Sequence, residues 1–363
     1  MTAVLLTHHH GRRAAAIENE HLRVAVLAEG GHIAEVLDKR TGINALWTPH
    51  WPSIEPSTYD AGRHGDTYGT GSDAKLLAAI MGHNLCLDIF GGPSAEEACA
   101  GMTAHGDASV APYDLLQTDR GLVARTQLPL AQIAFERRLD LQGPAVDVRE
   151  RIESLCGVDR PIAWTQHVTL GPPFLEKGAT EFRVSAARSQ VYEGEFGVAD
   201  YLRRGAVFDW PHAPRADGGS ADLRRLTSAP RSSAYTAHLL DSGRRPAFFV
   251  AFSPAAQLAF GYAWDPSDFP WIGIWEENDS RTGPPWNGRT LARGMEFGVS
   301  PFPETRRAMV ERGRLFDTPT YRWLPARGVL EASYRIVVQP AARIPETLSG
   351  EQGRSGGQGR SGG

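Results

Sequence analysis

Residues 133–153 read IAFERRLDLQGPAVDVRERIE, and this stretch decides the fold class. Apolar side chains share one face, with charged side chains at most positions between; the apolar positions are Ile133, Phe135, Leu139 and Leu141 before the turn and Val146, Val148 and Ile152 after it. A period of two is typical of a strand, because a helix would scatter these residues around its axis. Gln142-Gly143-Pro144 supplies the turn, so we predict an antiparallel hairpin with one wet face.

Similar short segments recur along the chain, separated by clusters of Gly, Pro, Asn and Asp. We predict further strands over residues 22–27, 32–37, 84–90, 122–128, 162–170, 248–252, 258–264, 271–275, 294–299 and 330–338. Only residues 74–81 suggest a helix. Strands this numerous, without helices alternating between them, predict an all-β protein built as a large antiparallel sandwich or barrel with few short helices.

The 363 residues are predicted to form a single domain over residues 15–345, with a flexible segment over 1–14 that carries the run His8-His9-His10. A mobile tail explains this run better than a metal site does, because adjacent side chains cannot converge without a partner. Residues 346–363 end in GEQGRSGGQGRSGG, which lacks apolar side chains and is predicted to be disordered. The Gly-, Pro- and Arg-rich residues 211–230 are expected to form a long surface excursion.

Composition narrows the class of function. The chain has 38 Lys and Arg against 42 Asp and Glu, a formal net charge of −4. That balance predicts no nucleic-acid partner and no membrane partner, and no apolar run is long enough for a signal or membrane segment. We therefore expect a cytoplasmic protein with a small neutral substrate. Cys86, Cys99 and Cys156 show no paired spacing, so we expect buried thiols rather than disulfides or a zinc site.

Two strands carry polar side chains opposite an apolar face. In 162–170, alternation separates His167 from Ile162 and Trp164, and an imidazole on a sheet face can act as general acid or base. In 294–299, Glu296 lies between Gly294 and Gly298, and the missing side chains leave room for a ligand. The alternatives are an ordinary hydrogen-bonded histidine, and a surface carboxylate beside a β-bulge.

A third segment, 271–279, has aromatic and acidic residues on one face. Trp271, Trp275 and Glu277 alternate there, with Gly273 between the two tryptophans. Such a flat platform beside a carboxylate suits a sugar, whose C–H face stacks on aromatic rings while its hydroxyls need hydrogen-bond partners. The alternative for each tryptophan is a place in a packed aromatic core.

A polar loop around His105 is the fourth candidate. The sequence shows no nucleotide-binding or metalloprotease motif. The histidines that could share a metal have no diagnostic spacing, so we expect neither a metal nor another cofactor; these are His64, His83, His105 and His167.

Taken in order, these features resemble the aldose 1-epimerase, or galactose mutarotase-like, superfamily over roughly residues 15–340. The resemblance rests on the early strand pair 22–37 with its turn at 38–42, the pair His105-Gly106, the strand with His167, and Glu296 in a glycine-rich strand before Pro301. It implies a large antiparallel β-sandwich that holds a sugar on one sheet face.

The resemblance also implies roles. Glu296 would take the proton of the anomeric hydroxyl, and His167 would give one to the ring oxygen from the opposite side of the hemiacetal. The ring opens, the C1–C2 bond rotates, and closure yields the other anomer. His105 would bind the substrate near the ring oxygen. The family's His-Gly loop usually continues to an arginine that binds sugar hydroxyls, whereas Asp107 follows here.

The remaining expected substrate contacts, Trp271, Trp275 and Glu277, would form the pocket wall. We therefore predict an isomerase of carbohydrate metabolism that interconverts the anomers of a free or modified sugar. The alternatives are a carbohydrate-binding or sensing protein of the same fold without turnover, and a glycoside lyase or hydrolase. The identity of the sugar and the oligomeric state stay open.

Overall fold

A computed structural model of the chain describes residues 2–3 and 6–348. The disordered tail predicted from residue 346 lies outside the described residues except for its first three positions. In the described ranges no helix is long and apolar enough to cross a membrane.

The structure consists mainly of strands, with four short α-helices and 3₁₀ turns at Pro56–Thr58 and Asp107–Ser109. The helices are α1 (Ala61–Tyr68), α2 (Ala74–Leu77), α3 (Ala95–Cys99) and α4 (Arg306–Arg312). The strands are β1 (Thr2–Ala3), β2 (Thr7–His9), β3 (Arg12–Glu18), β4 (Leu22–Leu27), β5 (Ile33–Asp38), β6 (Ile43–Asn44), β7 (His83–Asp88), β8 (Asp114–Gln117), β9 (Gly121–Leu128), β10 (Ile133–Gln142), β11 (Ala145–Ser154), β12 (Arg160–Leu170), β13 (Glu181–Val184), β14 (Ala186–Val191), β15 (Val207–Phe208), β16 (His212–Pro214), β17 (Ser220–Asp222), β18 (Ser232–Leu240), β19 (Ala247–Ser253), β20 (Leu258–Trp264), β21 (Trp271–Asn278), β22 (Leu291–Gly298), β23 (Arg314–Leu315), β24 (Thr318–Pro319), β25 (Arg322–Leu324) and β26 (Val329–Pro340).

Two large antiparallel sheets pack face to face. The nine-stranded sheet runs β1-β8-β9-β10-β11-β26-β20-β19-β13, and the thirteen-stranded sheet runs β15-β14-β18-β21-β22-β12-β7-β5-β4-β3-β2, with β25 and β6 paired to β12 and β5. The main core lies between them and draws apolar side chains from both, such as Phe135 and Val148 of the first and Trp164 and Met295 of the second. The predicted all-β antiparallel sandwich with few short helices is confirmed.

The hairpin predicted over residues 133–153 is confirmed as β10 and β11, which pair residue for residue from Ile133 opposite Ser154 to Gln142 opposite Ala145. Its inward face also carries Arg137 opposite Glu150. Arg137 Nε donates to Glu150 Oε1 over 2.7 Å, and Arg137 Nη2 donates to Gln166 Oε1 on the other sheet over 3.2 Å. A buried, hydrogen-bonded ion pair therefore joins the two sheets at the centre of the sandwich.

A second aromatic layer covers the outer face of the thirteen-stranded sheet, the face turned away from the main core. It includes side chains from β18, β21 and β7, from α2 and α4, and from the loops that precede α1 and follow β21; the larger members are Trp47, Trp51, Tyr68, Phe90, Tyr235, Trp275, Trp286 and Phe302. This layer surrounds the cavity described below.

The predicted helix over 74–81 is too long, because α2 ends at Leu77. The backbone N–H of Ile54 donates to Ala78 O, and the chain turns into β7 within a few residues. Helix α1 was not predicted. It contains two glycines and no apolar stripe, and it begins where the side chain of Asp60 accepts from Arg63 N.

Two predictions of irregular structure are also corrected. Residues 7–14, expected to be flexible, lie largely in β2 and β3 because Arg12 is fully buried and anchored by Glu55. Residues 211–230, expected to form a surface excursion, include the hairpin of β16 and β17, and Leu223 and Leu226 are buried beside it. Of the three thiols expected to be buried, only Cys86 is; Cys99 is exposed and Cys156 is half-buried.

Candidate active site

A cavity of about 480 Å³ lies on the outer face of the thirteen-stranded sheet. Side chains from β12, β18, β21 and β22 form its floor, and the loops and α2 form its walls. The lining residues are Asp73, Leu76, Leu77, Ile80, Phe90, Gly91, Gly92, Ala104, His105, His167, Phe196, Tyr235, Trp275, Arg281, Trp286, Glu296 and Pro303. The structure therefore brings four predicted site residues to one cavity: His105, His167, Trp275 and Glu296.

One row of residues crosses the floor in register. His167 on β12 pairs with Glu296 on β22 and with Asn84 on β7, and Glu296 pairs with Gly273 on β21. Neighbouring strands lie about 4.8 Å apart, so side chains on the same face of such a row are within reach of one another. Antiparallel register thus joins segments that are more than one hundred residues apart in the chain.

His167 and Glu296 are in direct contact: His167 Nε2 lies 3.0 Å from Glu296 Oε1. Thr169 Oγ1 lies 3.2 Å from His167 Nδ1 and fixes the other edge of the ring. Both site side chains are buried, which excludes the alternative of a surface carboxylate for Glu296. The two groups stand side by side, because adjacent strands present them in the same row. The family resemblance had implied that they would lie on opposite sides of a hemiacetal.

Tyr235 on β18 adds a third group. Its hydroxyl donates to Glu296 Oε2 over 3.2 Å, and it crosses β21 above Gly273, where a Cβ would lie only 1.9 Å from Tyr235 Oη. Burial and the charge of Glu296 hold the pKa of Tyr235 well above its usual range, so the phenol remains a donor at neutral pH.

The glycines flanking Glu296 have a different use from the one predicted. A Cβ at Gly294 would lie 2.5 Å from Glu296 Oε1, and one at Gly298 would lie 2.4 Å from Thr165 Oγ1. The glycines therefore make room for protein side chains rather than for a ligand. The strands pair without a register shift here, which also excludes the β-bulge alternative.

His105 reaches the cavity from a strained loop. Its φ is +67° and that of Gly106 is +83°, where a Cβ would lie 2.1 Å from Leu87 O. The His105 ring lies 4.8 Å from the His167 ring, centroid to centroid, and Asn84 Nδ2 is 3.4 Å from His105 Nδ1. Burial and the neighbouring His167 hold the pKa of His105 well below its usual range, so it contributes a neutral imidazole.

Trp275 forms part of the cavity wall as predicted, but the other two members of the platform do not line it. The indole N–H of Trp271 donates to Pro319 O over 3.0 Å, and its ring packs on Phe316, so it belongs to an aromatic core. Glu277 is buried behind the wall and accepts from the backbone N–H of Ser280 over 2.7 Å. The strand ends here, and the Glu277 carboxylate accepts hydrogen bonds from the loop that follows it.

Sequence reasoning missed Tyr235, Arg281 and Trp286. Tyr235 lies on β18, whose sequence SSAYTAHLL alternates small and polar residues and gives neither face a strong apolar signal. Arg281 and Trp286 lie in the loop between β21 and β22, where no periodicity exists to detect. No signal in the sequence marked these loop residues as cavity lining.

No group of three His, Cys, Asp or Glu side chains among the described residues could hold a metal ion. The four histidines considered from the sequence do not converge. His64 lies on α1 and accepts from the N–H of Asp60, while His83 lies in the main core against Gln166 and Tyr262.

No family model matches the chain, and no curated protein sequence matches it. Solved structures do. A candidate aldose 1-epimerase of Klebsiella pneumoniae aligns over 92% of this chain and 80% of its own, with a TM-score of 0.63 and 11% identity. One from Escherichia coli K12 aligns over 90% and 98%, with a TM-score of 0.60 and 11% identity. A galactose mutarotase-like protein of Lactobacillus casei aligns over 90% and 100%, with a TM-score of 0.54 and 12% identity.

The architecture is therefore that of a two-sheet β-sandwich with a cavity on the outer face of one sheet. Within that class, the chain has the galactose mutarotase-like fold that its sequence resembles.

Proposed function

We propose that the protein binds a sugar in the cavity and interconverts its anomers by proton transfer at Glu296 and His167. The single observation that carries this proposal is their contact at the cavity floor, Nε2 to Oε1 over 3.0 Å. An imidazole and a carboxylate that share a buried cavity form a general acid and base pair.

The side-by-side arrangement suits a hemiacetal, because its hydroxyl oxygen and its ring oxygen are bonded to the same carbon. Glu296 takes the proton of the anomeric hydroxyl, and His167, acting as the acid, gives one to the ring oxygen. The bond from C1 to the ring oxygen breaks, and the C1 carbonyl forms. After rotation about C1–C2, the ring hydroxyl adds to the other face of the carbonyl, and both protons return.

The surroundings support this chemistry. Tyr235 donates to Glu296 Oε2, so the carboxylate's other oxygen remains for the substrate and His167. Trp275, whose ring lies 5.8 Å from that of His167, offers an apolar surface for the C–H face of a sugar. His105 provides a neutral hydrogen-bonding group beside His167.

The interconversion of anomers can be measured by one-dimensional NMR exchange spectroscopy over a panel of aldoses. We expect accelerated exchange for at least one sugar, and a loss of about 10²-fold or more in Glu296→Gln, since general acid–base catalysis contributes roughly 10²–10⁴-fold. Glu311→Gln is the matched control, because this side chain is 63% exposed on α4. Unchanged exchange across the panel with the unmodified protein would refute the activity.

Sugar binding without turnover is the second candidate. Binding without turnover is favoured by the same contact. His167 and Glu296 are already hydrogen-bonded to each other, so a substrate must compete with that hydrogen bond. Calorimetry separates the two functions: this candidate requires heat of binding for a sugar whose anomer exchange the protein leaves unchanged.

A further inference from the structure

Arg281 forms part of the cavity wall. It lies in the loop between β21 and β22, and its guanidinium carbon is 4.7 Å from the ring centroid of Trp286 and 5.5 Å from that of Trp275. Phe196 lies on the same group at 5.9 Å. Three aromatic rings therefore hold the guanidinium in place at the cavity.

Glu277 anchors the start of this loop. Its Oε1 accepts from Ser280 N, Ser280 Oγ and Arg281 N over 2.7, 2.9 and 3.1 Å. Its Oε2 lies 3.5 Å from Arg281 Nε. Within the described part of the chain, the two Nη groups of Arg281 donate no hydrogen bond to protein, although the side chain is only 27% exposed.

Three carboxylates lie near the Arg281 guanidinium. Burial lowers the pKa of its guanidinium, and the carboxylates of Glu277, Asp73 and Asp200 act in the opposite direction. Among the described lining residues, Arg281 is the one Lys or Arg side chain, and Asp73 and Glu296 are the carboxylates. The carboxylates of Asp73 and Glu296 would repel an anionic ligand, whereas neutral hydroxyl oxygens can accept hydrogen bonds from both Nη groups.

We infer that Arg281 binds two adjacent hydroxyls of an uncharged sugar, and that the cavity selects against sugar acids and sugar phosphates. This inference rests on the proposed sugar site. The indole of Trp275 neighbours both groups: its ring centroid is 5.8 Å from that of His167 and 5.5 Å from the Arg281 guanidinium carbon. One pyranose ring stacked on this indole would direct its anomeric centre to His167 and its remote hydroxyls to Arg281.

The test compares neutral hexoses, their single-deoxy analogues, the matching uronic acids and the 6-phosphates. We expect uronic acids and phosphates to bind at least tenfold more weakly than the neutral sugar. Arg281→Met should raise KM about tenfold or more with little change in kcat. A deoxy analogue that lacks one of the two bound hydroxyls should lose less in Arg281→Met than the parent sugar does, since one of the two contacts of the guanidinium is already absent.

Arg307→Met is the control for the change in net charge, because that side chain is 87% exposed on α4. Calorimetric binding is measured alongside anomer exchange, so that a lack of turnover does not obscure the selectivity. Tighter binding of a uronic acid or phosphate that depends on Arg281 would overturn the inference and leave the proposed function intact. A neutral sugar that binds equally well to Arg281→Met would also overturn it, whereas loss of exchange with selective binding retained would count only against the proposed function.

Discussion

At the residue scale, the missing side chain at position 273 determines how the acid–base pair is supported. Tyr235 and Glu296 lie on strands separated by β21, and a side chain on β21 at this row would stand between them. Because Gly273 leaves the row open, the phenol crosses the strand and donates to Glu296 Oε2. Gly273, predicted only as the gap between two tryptophans of a flat platform, is therefore the position that allows this hydrogen bond.

Gly273→Ala should displace Tyr235, because the new Cβ would lie 1.9 Å from its hydroxyl oxygen. We expect anomer exchange to fall about tenfold, and the free energy of unfolding to fall by about 1–3 kcal/mol, as is typical of overpacking. Exchange spectroscopy and urea denaturation measure the two effects.

The same substitution in a Tyr235→Phe background tests the cause. The added loss should then be smaller, since the oxygen that the Cβ meets first is gone. Gly157→Ala serves as the matched control, because a Cβ there meets no atom within 4 Å. Equal losses in the two backgrounds would contradict this explanation.

At the scale of elements, Arg12 joins β3 to the segments around the cavity. Its guanidinium donates to Glu55 Oε2, Ser53 Oγ and Ala79 O over 3.0, 3.2 and 2.9 Å. It also donates to Glu29 O, in the turn after β4, over 2.9 Å. A single buried cation thus fixes the N-terminal strands, the loop before α1 and the end of the α2 segment relative to one another.

Arg12→Met should lower the free energy of unfolding by about 3–5 kcal/mol, because it leaves a carboxylate and buried carbonyl oxygens without their donor. Urea denaturation followed by tryptophan fluorescence gives the value. The neighbouring Arg13, whose side chain is 50% exposed, provides the comparison. Arg13→Met should cost no more than about 1 kcal/mol, and similar losses in both variants would show that the burial of Arg12 is unimportant.

At the scale of the whole molecule, the sandwich buries charged groups that must stay paired and histidines that must stay neutral. The Arg137–Glu150 pair links the sheets, and the side chains of His32, His83 and His238 are fully buried. Burial lowers the pKa of His32 and of His238 to about 3, and it holds that of His83 well below its usual range. These imidazoles therefore stay neutral in the folded protein at pH values at which the unfolded chain binds protons.

Stability should therefore fall as the pH drops below 6.5. Above that value each histidine is neutral in both states; below it, the unfolded chain binds a proton that the folded protein excludes, so acid favours unfolding. Each of the three should contribute about 1.4 kcal/mol per pH unit between roughly pH 5.5 and 4.5.

Urea denaturation at a series of pH values measures this slope. His238→Gln should reduce it by the contribution of one buried histidine, about 1.4 kcal/mol per pH unit, and His21→Gln, at a side chain that is 48% exposed, is the control. A slope that does not respond to His238→Gln would contradict the assignment of acid sensitivity to buried histidines.

The sequence by itself determined many of the strands and the direction in which many of their side chains point. Alternation in 133–153 predicted β10 and β11, and alternation in 162–170 separated His167 from the core face that Trp164 occupies. Both are local properties, because successive residues of an extended chain point to opposite sides whatever the strand pairs with.

Only the tertiary structure decided which of these residues meet. The contact of His167 with Glu296, the crossing of Gly273 by Tyr235, and the arrival of Arg281 at the same cavity depend on strand order, register and one irregular loop. These are set by the packing of segments distant in the chain, and no local period encodes that packing.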